Sequence, residues 1–400
     1  MGISIGLVGL GAFGSSFADM FMAHPLTDRV ALCDREPDRI ARFAAKQTWK
    51  AKFHPKDAYQ TLDDICRADL DALVIITQHW LHGPQAIQAM ASGKHVYCAV
   101  PVLCVPDADE ILDCCDRLVR TVERTGQWFM YGETTCFRPE AMFCRRKRAE
   151  GAFGDFVYSE GEYFHAFDLP SCDLRKVWAS RTAGRIGQEY LKLREHYERR
   201  GIQGGPMHYP THSTGGPIHV MNARPLKVCC WGHGPICKDP YWQLTQERFS
   251  NQTALFQMSN GATMRIAEYR EIGFTGRETF RLYGTRGSYE DKCWVDKEAT
   301  THLTVEQMRD PLPEEVERAF RDAMPDHDVY GGHGGSHPYL VHEFVDAVAN
   351  GRTPAIDVYH AVHMTAAGAM AHKSALRDGE VLEVPQWGPS HVATGKARSA

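Results

Sequence analysis

Apolar residues fall in short unbroken runs through the first third of the chain and in alternation through the middle. Ile3 to Val8, Val30 to Cys33, Ala72 to Ile76 and His95 to Cys98 are near-continuous apolar stretches, the pattern of strands buried on both faces. Between them Phe17, Met20 and Phe21 recur at helical spacing, and Pro84 to Ala91 and Asp107 to Arg124 read as helices. Strand and helix signals in alternation predict a parallel sheet with crossover helices, closing near Thr125. After Gly126 the period changes to two, with strands expected at Phe156 to Tyr163, Leu226 to Trp231, Thr253 to Met258, Ala262 to Glu268 and Glu278 to Tyr283. Turn-forming Ser259-Asn260-Gly261 and Gly284-Thr285-Arg286-Gly287 separate several of them, which predicts a mainly antiparallel sheet. Helices at Pro139 to Glu150 and His337 to Asn350 are expected to cover one face of it, leaving the other as a candidate dimer surface. The fold class is therefore α/β followed by α+β: a doubly wound parallel sheet over 1–125 and an open, mainly antiparallel sheet over 126–400.

The first turn carries chemistry. Gly9, Gly11 and Gly14, with Ala12 and Phe13 between them, stand at G-x-G-x-x-G spacing directly after the first strand and before the first helix. A strand that turns tightly, leaves its backbone bare and enters a helix whose N-terminus favours anions is a dinucleotide site of Rossmann type. Asp34 closes the second strand about twenty residues further on, where a carboxylate accepts both ribose hydroxyls of NAD and repels a 2′-phosphate. Arg35 follows it and keeps NADP open. Thr77-Gln78-His79-Trp80 and Ala99-Val100-Pro101 each follow a strand, at the carboxyl edge where such sheets bind ligands.

Composition narrows the class. Four hundred residues with 43% hydrophobic content suit two domains with sizeable cores. A net charge of −5 offers no basic excess for nucleic acid, and no apolar run is long enough for a transmembrane helix. The first strand begins at Ile3, which leaves no room for a signal peptide. Thirteen cysteines include Cys114-Cys115 and Cys229-Cys230 but no C-x-x-C, so no metal site is expected, and free thiols in a reducing cytoplasm are the reading.

Arg175 to Arg200 is a basic insertion. Ile186, Tyr190, Leu193 and Tyr197 recur at helical spacing, as in an amphipathic helix with a solvated basic face. The competing reading is an anion-binding lid.

Taken together, G-L-V-G-L-G-A-F-G, D-A-L-V-I-I-T-Q-H-W-L-H and G-K-H-V-Y-C-A-V-P resemble the Gfo/Idh/MocA family of NAD(P)-dependent sugar oxidoreductases. That resemblance implies a Rossmann domain followed by an α/β domain for substrate and oligomerisation, as a dimer or tetramer, with Thr77, Gln78, His79 and His82 lining the cofactor. Ordinary dehydrogenases of the family carry E-K-P where this chain has Ala99-Val100-Pro101, and valine holds no proton. Three further stretches resemble the family 109 glycoside hydrolases, a branch that also has valine there. They are Gly132-Glu133-Thr134-Thr135-Cys136-Phe137, Glu160-Gly161-Glu162-Tyr163-Phe164-His165 and Met207-His208-Tyr209-Pro210-Thr211-His212. Carried over one by one, that branch's functional residues fall on Glu133, Tyr163, Tyr209 and His212, and His165 and His208 become candidate substrate contacts. His337 and His342 open a helix and are further cleft candidates. Ser-Thr-Gly-Gly-Pro after His212, and Thr134 in place of an asparagine, depart from the branch.

The resemblance implies a glycosidase that keeps NAD tightly bound. A sugar hydroxyl, at C3, is oxidised while His212 takes its proton. A tyrosinate at Tyr163 or Tyr209 removes the acidified C2 proton, the C1 group leaves, water adds and the sugar is re-reduced. A related branch acts on sulfoquinovosides, which brings an anionic sugar into view. The alternative is a conventional NAD-dependent sugar dehydrogenase.

Overall fold

A computed structural model describes residues 2–388. They form two compact units. One comprises the chain up to Leu103 with Asp113–Phe143 and Thr304–Val362; the other comprises Cys104–Leu112, Cys144–Leu303 and the chain from His363.

The first unit is built on six strands, β1 (Ile3–Val8), β2 (Thr27–Cys33), β3 (Ala58–Tyr59), β4 (Ala72–Ile75), β5 (His95–Cys98) and β6 (Phe129–Tyr131). Their order is β3-β2-β1-β4-β5-β6 and every pairing is parallel. Val30, Ala31 and Leu32 on β2 and Leu73, Val74 and Ile75 on β4 are all buried, which is why these strands read as unbroken apolar runs. The helix His337–Ala349 packs here and not on the second sheet as its sequence position led us to expect. Phe344 meets Phe21 and Tyr97 edge-on, at 6.4 and 5.7 Å, and His337 lies 4.2 Å from Phe17. Its apolar stripe is complementary to the aromatic face of the first helix, Ala12–Ala23.

The second unit holds nine strands, β7 (Phe156–His165), β8 (Pro225–His233), β9 (Asn251–Met258), β10 (Thr263–Tyr269), β11 (Gly276–Gly284), β12 (Gly287–Glu290), β13 (Cys293–Asp296), β14 (Thr300–His302) and β15 (Leu382–Glu383). The order is β14-β13-β12-β11-β7-β10-β9-β8-β15. All pairings are antiparallel except β7 with β10. The outward face is laced by ion pairs: Arg265 bridges Glu160 and Glu162 at 2.8 and 2.6 Å, and Arg281 meets Glu160 at 2.6 Å.

The inward face carries the helix Thr211–Met221, every residue of which is buried. Gly161 on β7 permits this approach: a Cβ there would lie 1.9 Å from the Ser213 carbonyl oxygen. The same row continues as Ala254, Ile266 and Phe280 on β9, β10 and β11, an apolar floor on which the helix rests.

The basic insertion is two helices, Leu174–Ala183 and Arg185–Arg199. The second buries Gly187, Tyr190, Arg194 and Tyr197. The stripe is thus the one the spacing predicts at Tyr190 and Tyr197, but an arginine occupies its middle.

Candidate functional site

In the first unit the three glycines have separate roles. Gly9 has φ +92°, a left-handed turn that favours glycine. A Cβ on Gly14 would lie 2.0 Å from the Gly9 carbonyl oxygen, so the helix packs directly on the turn. Around Gly11 the space is open, with only an Arg39 nitrogen at 4.0 Å. Two glycines are required by the protein's own packing, and the third leaves the clearance that a pyrophosphate needs over bare backbone. The residues therefore fit a dinucleotide.

Asp34 is buried at the end of β2. Its carboxylate accepts from the Leu10 and Glu36 backbone N–H groups at 2.7 and 2.9 Å, and Arg39 stands 3.4 Å away. Backbone donors thus fix the acid beside the glycine turn, next to Ala12, Phe13 and Arg35 in sequence. Arg39, one helical turn beyond Asp34, is a site neighbour that no motif marked. Thr77 donates to Gln85 at 2.6 Å, and His79 meets Trp80 edge-on at 5.1 Å, with half-buried Gln78 between them in sequence. His82 is buried, its ring nitrogens 2.9 Å from the Pro101 carbonyl and 3.3 Å from that of Thr77. It ties together the loops that follow β4 and β5. Val100 is buried beside it in the second of these loops. Glu133, also in this unit, is wholly buried and caps a 3-10 turn by accepting from the Thr135 N–H and hydroxyl, both at 2.9 Å. His337 lies under Phe13, at 5.8 Å, and His342 stacks on His24.

In the second unit one row of side chains runs across four strands. Register aligns Gln252 on β9, Glu268 on β10, Tyr163 on β7 and Glu278 on β11. Directly paired residues share a face, and this is the inward one, next along from the apolar floor. His212, at the start of its helix, lies over the row: its ring is 5.1 Å from that of Tyr163 and 5.4 Å from that of Tyr209. Its Nδ1 is 3.5 Å from a Glu278 carboxylate oxygen. Arg270 places its guanidinium 4.6 Å from the centre of the Tyr163 ring, donates to the Tyr163 carbonyl at 3.2 Å and pairs with Glu268 at 2.9 Å. Ser213 also donates to Glu268.

Burial sets the electrostatics. Glu268 is pushed up to about 7, mainly by loss of hydration, against the pull of Arg270 and its hydrogen bonds. The Tyr163 phenol is likewise raised by burial, more than Arg270 lowers it. His165, half-buried and 5.9 Å from Tyr163, is lowered by burial and then by Arg270. His208 does not join this group through any ring contact: it is enclosed against His372 at 4.3 Å and held well below the usual imidazole range by burial.

The structure thus gathers His212, Tyr163, Tyr209 and His165 in one place and adds Glu268, Arg270 and Glu278, which sequence reasoning missed. Two signals were present. Glu268 follows Met264 and Ile266 at period two, and Glu278 precedes Phe280 and Leu282 in the same way. A carboxylate in phase with a buried stripe is costly unless it is used.

Two family models match separate parts of the chain. Residues 3–130 match the model of an oxidoreductase family with an NAD-binding Rossmann fold, GFO_IDH_MocA. Residues 238–393 match the C-terminal domain of glycosyl hydrolase 109. A glycosyl hydrolase family 109 protein of Streptomyces filamentosus is 26% identical over 96% of this chain and 77% of its own length. An alpha-N-acetylgalactosaminidase of Bacteroides fragilis is 28% identical over 55% of this chain and 48% of its own. Among solved structures, levoglucosan dehydrogenase in complex with NADH and levoglucosan superposes with a TM-score of 0.70 at 17% identity, covering 96% of this chain and all of that one. At that identity the likeness is one of fold.

Proposed function

Because this chain belongs to the Gfo/Idh/MocA oxidoreductase superfamily and resembles its glycoside hydrolase family 109 branch, we propose that it is a glycosidase acting through transient oxidation of its sugar. Residues 1–125 hold NAD and residues 126–400 bind the glycoside and move its protons. Gly9, Gly11, Ala12, Phe13 and Gly14 receive the pyrophosphate, Asp34 and Arg35 the adenosine ribose, and Thr77, Gln78, His79, His82 and Val100 the remainder. When bound, NAD supplies reversible two-electron oxidation at C3 with no net change over a turnover.

The chain's own groups do the rest. His212 takes the proton of the C3 hydroxyl, and Glu278 beside Nδ1 stabilises the resulting imidazolium. The C3 ketone acidifies the C2 proton. Tyr209 is the base for that proton, since the phenol of Tyr163 is raised by burial and suits a neutral donor to the sugar oxygen. The C1 group then departs with the C1–O bond electrons, water adds to the enone, and the same groups return their protons as C3 is reduced. Glu133 anchors a hydroxyl or protonates the leaving group, and His165, beside Tyr163, belongs to the sugar-binding side; the enclosed His208 has no such role in this reading.

The observation that carries this reading is His212 over the Tyr163–Glu278 row in a chain whose corresponding dehydrogenase lysine is Val100. Two basic residues of the insertion are engaged within the chain, Arg175 by Asp173 and Asp239 and Arg200 by Asp107 and Glu110, which speaks against these two holding an anionic sugar such as a sulfoquinovoside. We also read the protein as a cytoplasmic homo-oligomer, from its free thiols and the open outward face of its second sheet. No helix among the described residues is long and apolar enough to cross a membrane.

The test is hydrolysis of p-nitrophenyl α-N-acetylgalactosaminide and related chromogenic glycosides by enzyme that carries its own NAD, with none added. Nitrophenol release without NADH accumulation, and loss of deuterium from C2-labelled substrate into ordinary water, are expected. NADH rising in proportion to sugar consumed would establish the conventional dehydrogenase instead.

A further inference from the structure

Arg270 lies where two groups compete for its charge. It is 7% exposed, and its backbone is fixed: the N–H donates to the Ser250 carbonyl at 3.0 Å and to the Asn251 side chain at 2.9 Å, and the carbonyl accepts from the Phe167 N–H at 2.8 Å. One end of the guanidinium donates to the Tyr163 and Tyr269 carbonyls, at 3.2 and 3.1 Å. The other end donates to Glu268 at 2.9 Å. Held in this way, its centre stands 4.6 Å from the middle of the Tyr163 ring, within cation–π range.

Glu268 and Tyr163 are direct register partners on β10 and β7, so their side chains leave the sheet on one face, side by side. The Glu268 carboxylate is wholly buried. One of its oxygens accepts from Arg270 and the other from the Ser213 hydroxyl, which also meets the Pro210 carbonyl at 2.9 Å. Ser213 directly follows His212 and opens the Ser-Thr-Gly-Gly-Pro stretch by which this chain departs from the family 109 pattern. The departure thus ties Glu268 to the turn that carries the imidazole. Among the described residues, the other titratable groups that face Tyr163 are His212 and His165, ring to ring at 5.1 and 5.9 Å, with Glu278, its register partner on β11, and Cys172.

A guanidinium over a phenol ring favours the ionised phenol, and a carboxylate beside the ring disfavours it. At Tyr163 the two effects oppose each other through one ion pair. With Glu268 charged, the pair is neutral overall and the phenol keeps its proton. With Glu268 uncharged, the full guanidinium charge bears on the ring. We propose that Glu268 is a positioning residue that cancels the charge of Arg270 over Tyr163, and so keeps Tyr163 a hydrogen-bond donor to the sugar. The inference rests on the glycosidase reading for the role of Tyr163, but not for the balance of charge. The directions at the phenol agree: after burial, which raises it most, Arg270 lowers it and Glu278 and Glu268 raise it.

The experiment uses full-length protein with its NAD and a difluorotyrosine in place of Tyr163. The fluorinated phenol is more acidic than that of tyrosine, and its fluorine NMR signal reports ionisation at this one position. Glu268→Gln should lower the midpoint of that titration by about one pH unit or more, and Arg270→Gln should raise it. Glu268→Asp, which keeps the charge, should restore most of the parent midpoint. A midpoint unchanged or raised in Glu268→Gln, or as low in Glu268→Asp as in Glu268→Gln, overturns the proposal. If Glu268→Gln does not fold, Arg270→Gln decides, and an unchanged or lowered midpoint there overturns it. A merely structural Glu268 would cost stability in denaturant titration and leave the midpoint where it was. Under the glycosidase reading the alkaline limb of kcat/KM also moves to lower pH in Glu268→Gln, because an ionised Tyr163 has no proton to donate. Midpoints that shift as expected while NADH accumulates in proportion to sugar consumed would remove the glycosidase reading alone.

Discussion

Glu278 stands 3.5 Å from Nδ1 of His212, so we expect it to act on catalysis by supporting the imidazole. Glu278→Gln should lower kcat about 10²-fold, the worth of a well-supported general base, with KM and NAD content little changed; Glu278→Asp should recover part of the loss. A fall in NAD content or a large rise in KM would reassign the residue. The two tyrosines differ in their surroundings, since the Arg270 guanidinium covers the ring of Tyr163. Tyr209→Phe should abolish exchange of the C2 proton with solvent, whereas Tyr163→Phe should retain measurable exchange and mainly weaken sugar binding, as checked by deuterium wash-out. At this scale the sequence revealed His212, Tyr163 and Tyr209 through their motifs. Glu268, Arg270 and Glu278 have no motif, and their importance comes from the register that puts two of them beside Tyr163.

The helix Thr211–Met221 owes its seat to a missing side chain. Gly161→Ala would drive a methyl group into the Ser213 carbonyl, and the helix start would have to lift from the sheet. A loss of about 3 kcal/mol in unfolding free energy is expected, together with most of the activity, because His212 is carried on that turn. Gly273→Ala, where a Cβ meets nothing within 4 Å, should leave both within error; denaturant titration of the pair is the check. Element positions were mostly legible: β5 and β9 lie within two residues of their expected bounds. The expectations that failed were about partners. The His337–Ala349 helix has an apolar stripe that fits either sheet by pattern alone, and Phe344 against Phe21 and Tyr97 decided it. Likewise the helical spacing located the buried side of the insertion at Tyr190 and Tyr197 but put Leu193 at its centre, where the structure buries Arg194 and leaves Leu193 half-buried.

Each unit holds neutral histidines in its interior, and this sets the acid limit of the whole molecule. His24 is lowered to about 3 by burial and then by His342, His337 to about 3 by burial and then by His333, and His372 to about 4 by burial. In the unfolded chain these groups titrate near 6.5. Their folded values are depressed, so the unfolded state binds more protons below that pH, and stability falls as pH drops from about 6.5 toward 4. Each contributes on the order of 2–3 kcal/mol to that loss. His372→Gln, which removes one of them, should flatten the dependence of unfolding free energy on pH between 6 and 5 by up to about one proton, measured by urea titration. An unchanged slope would mean that His372 titrates normally in the folded protein.

The sequence by itself determined what depends on neighbours along the chain. Glycines mark the dinucleotide turn because backbone clearance is a local matter, period-two runs mark the strands, and short motifs mark His212 and Tyr163. Only the tertiary structure decided which strands lie side by side. β7 pairs with β10 and β11 about a hundred residues later, and no local signal encodes that order or its register, because such pairings are selected by the burial of whole faces at once. From that choice come the row of Glu268, Tyr163 and Glu278 and the helix seated on Gly161.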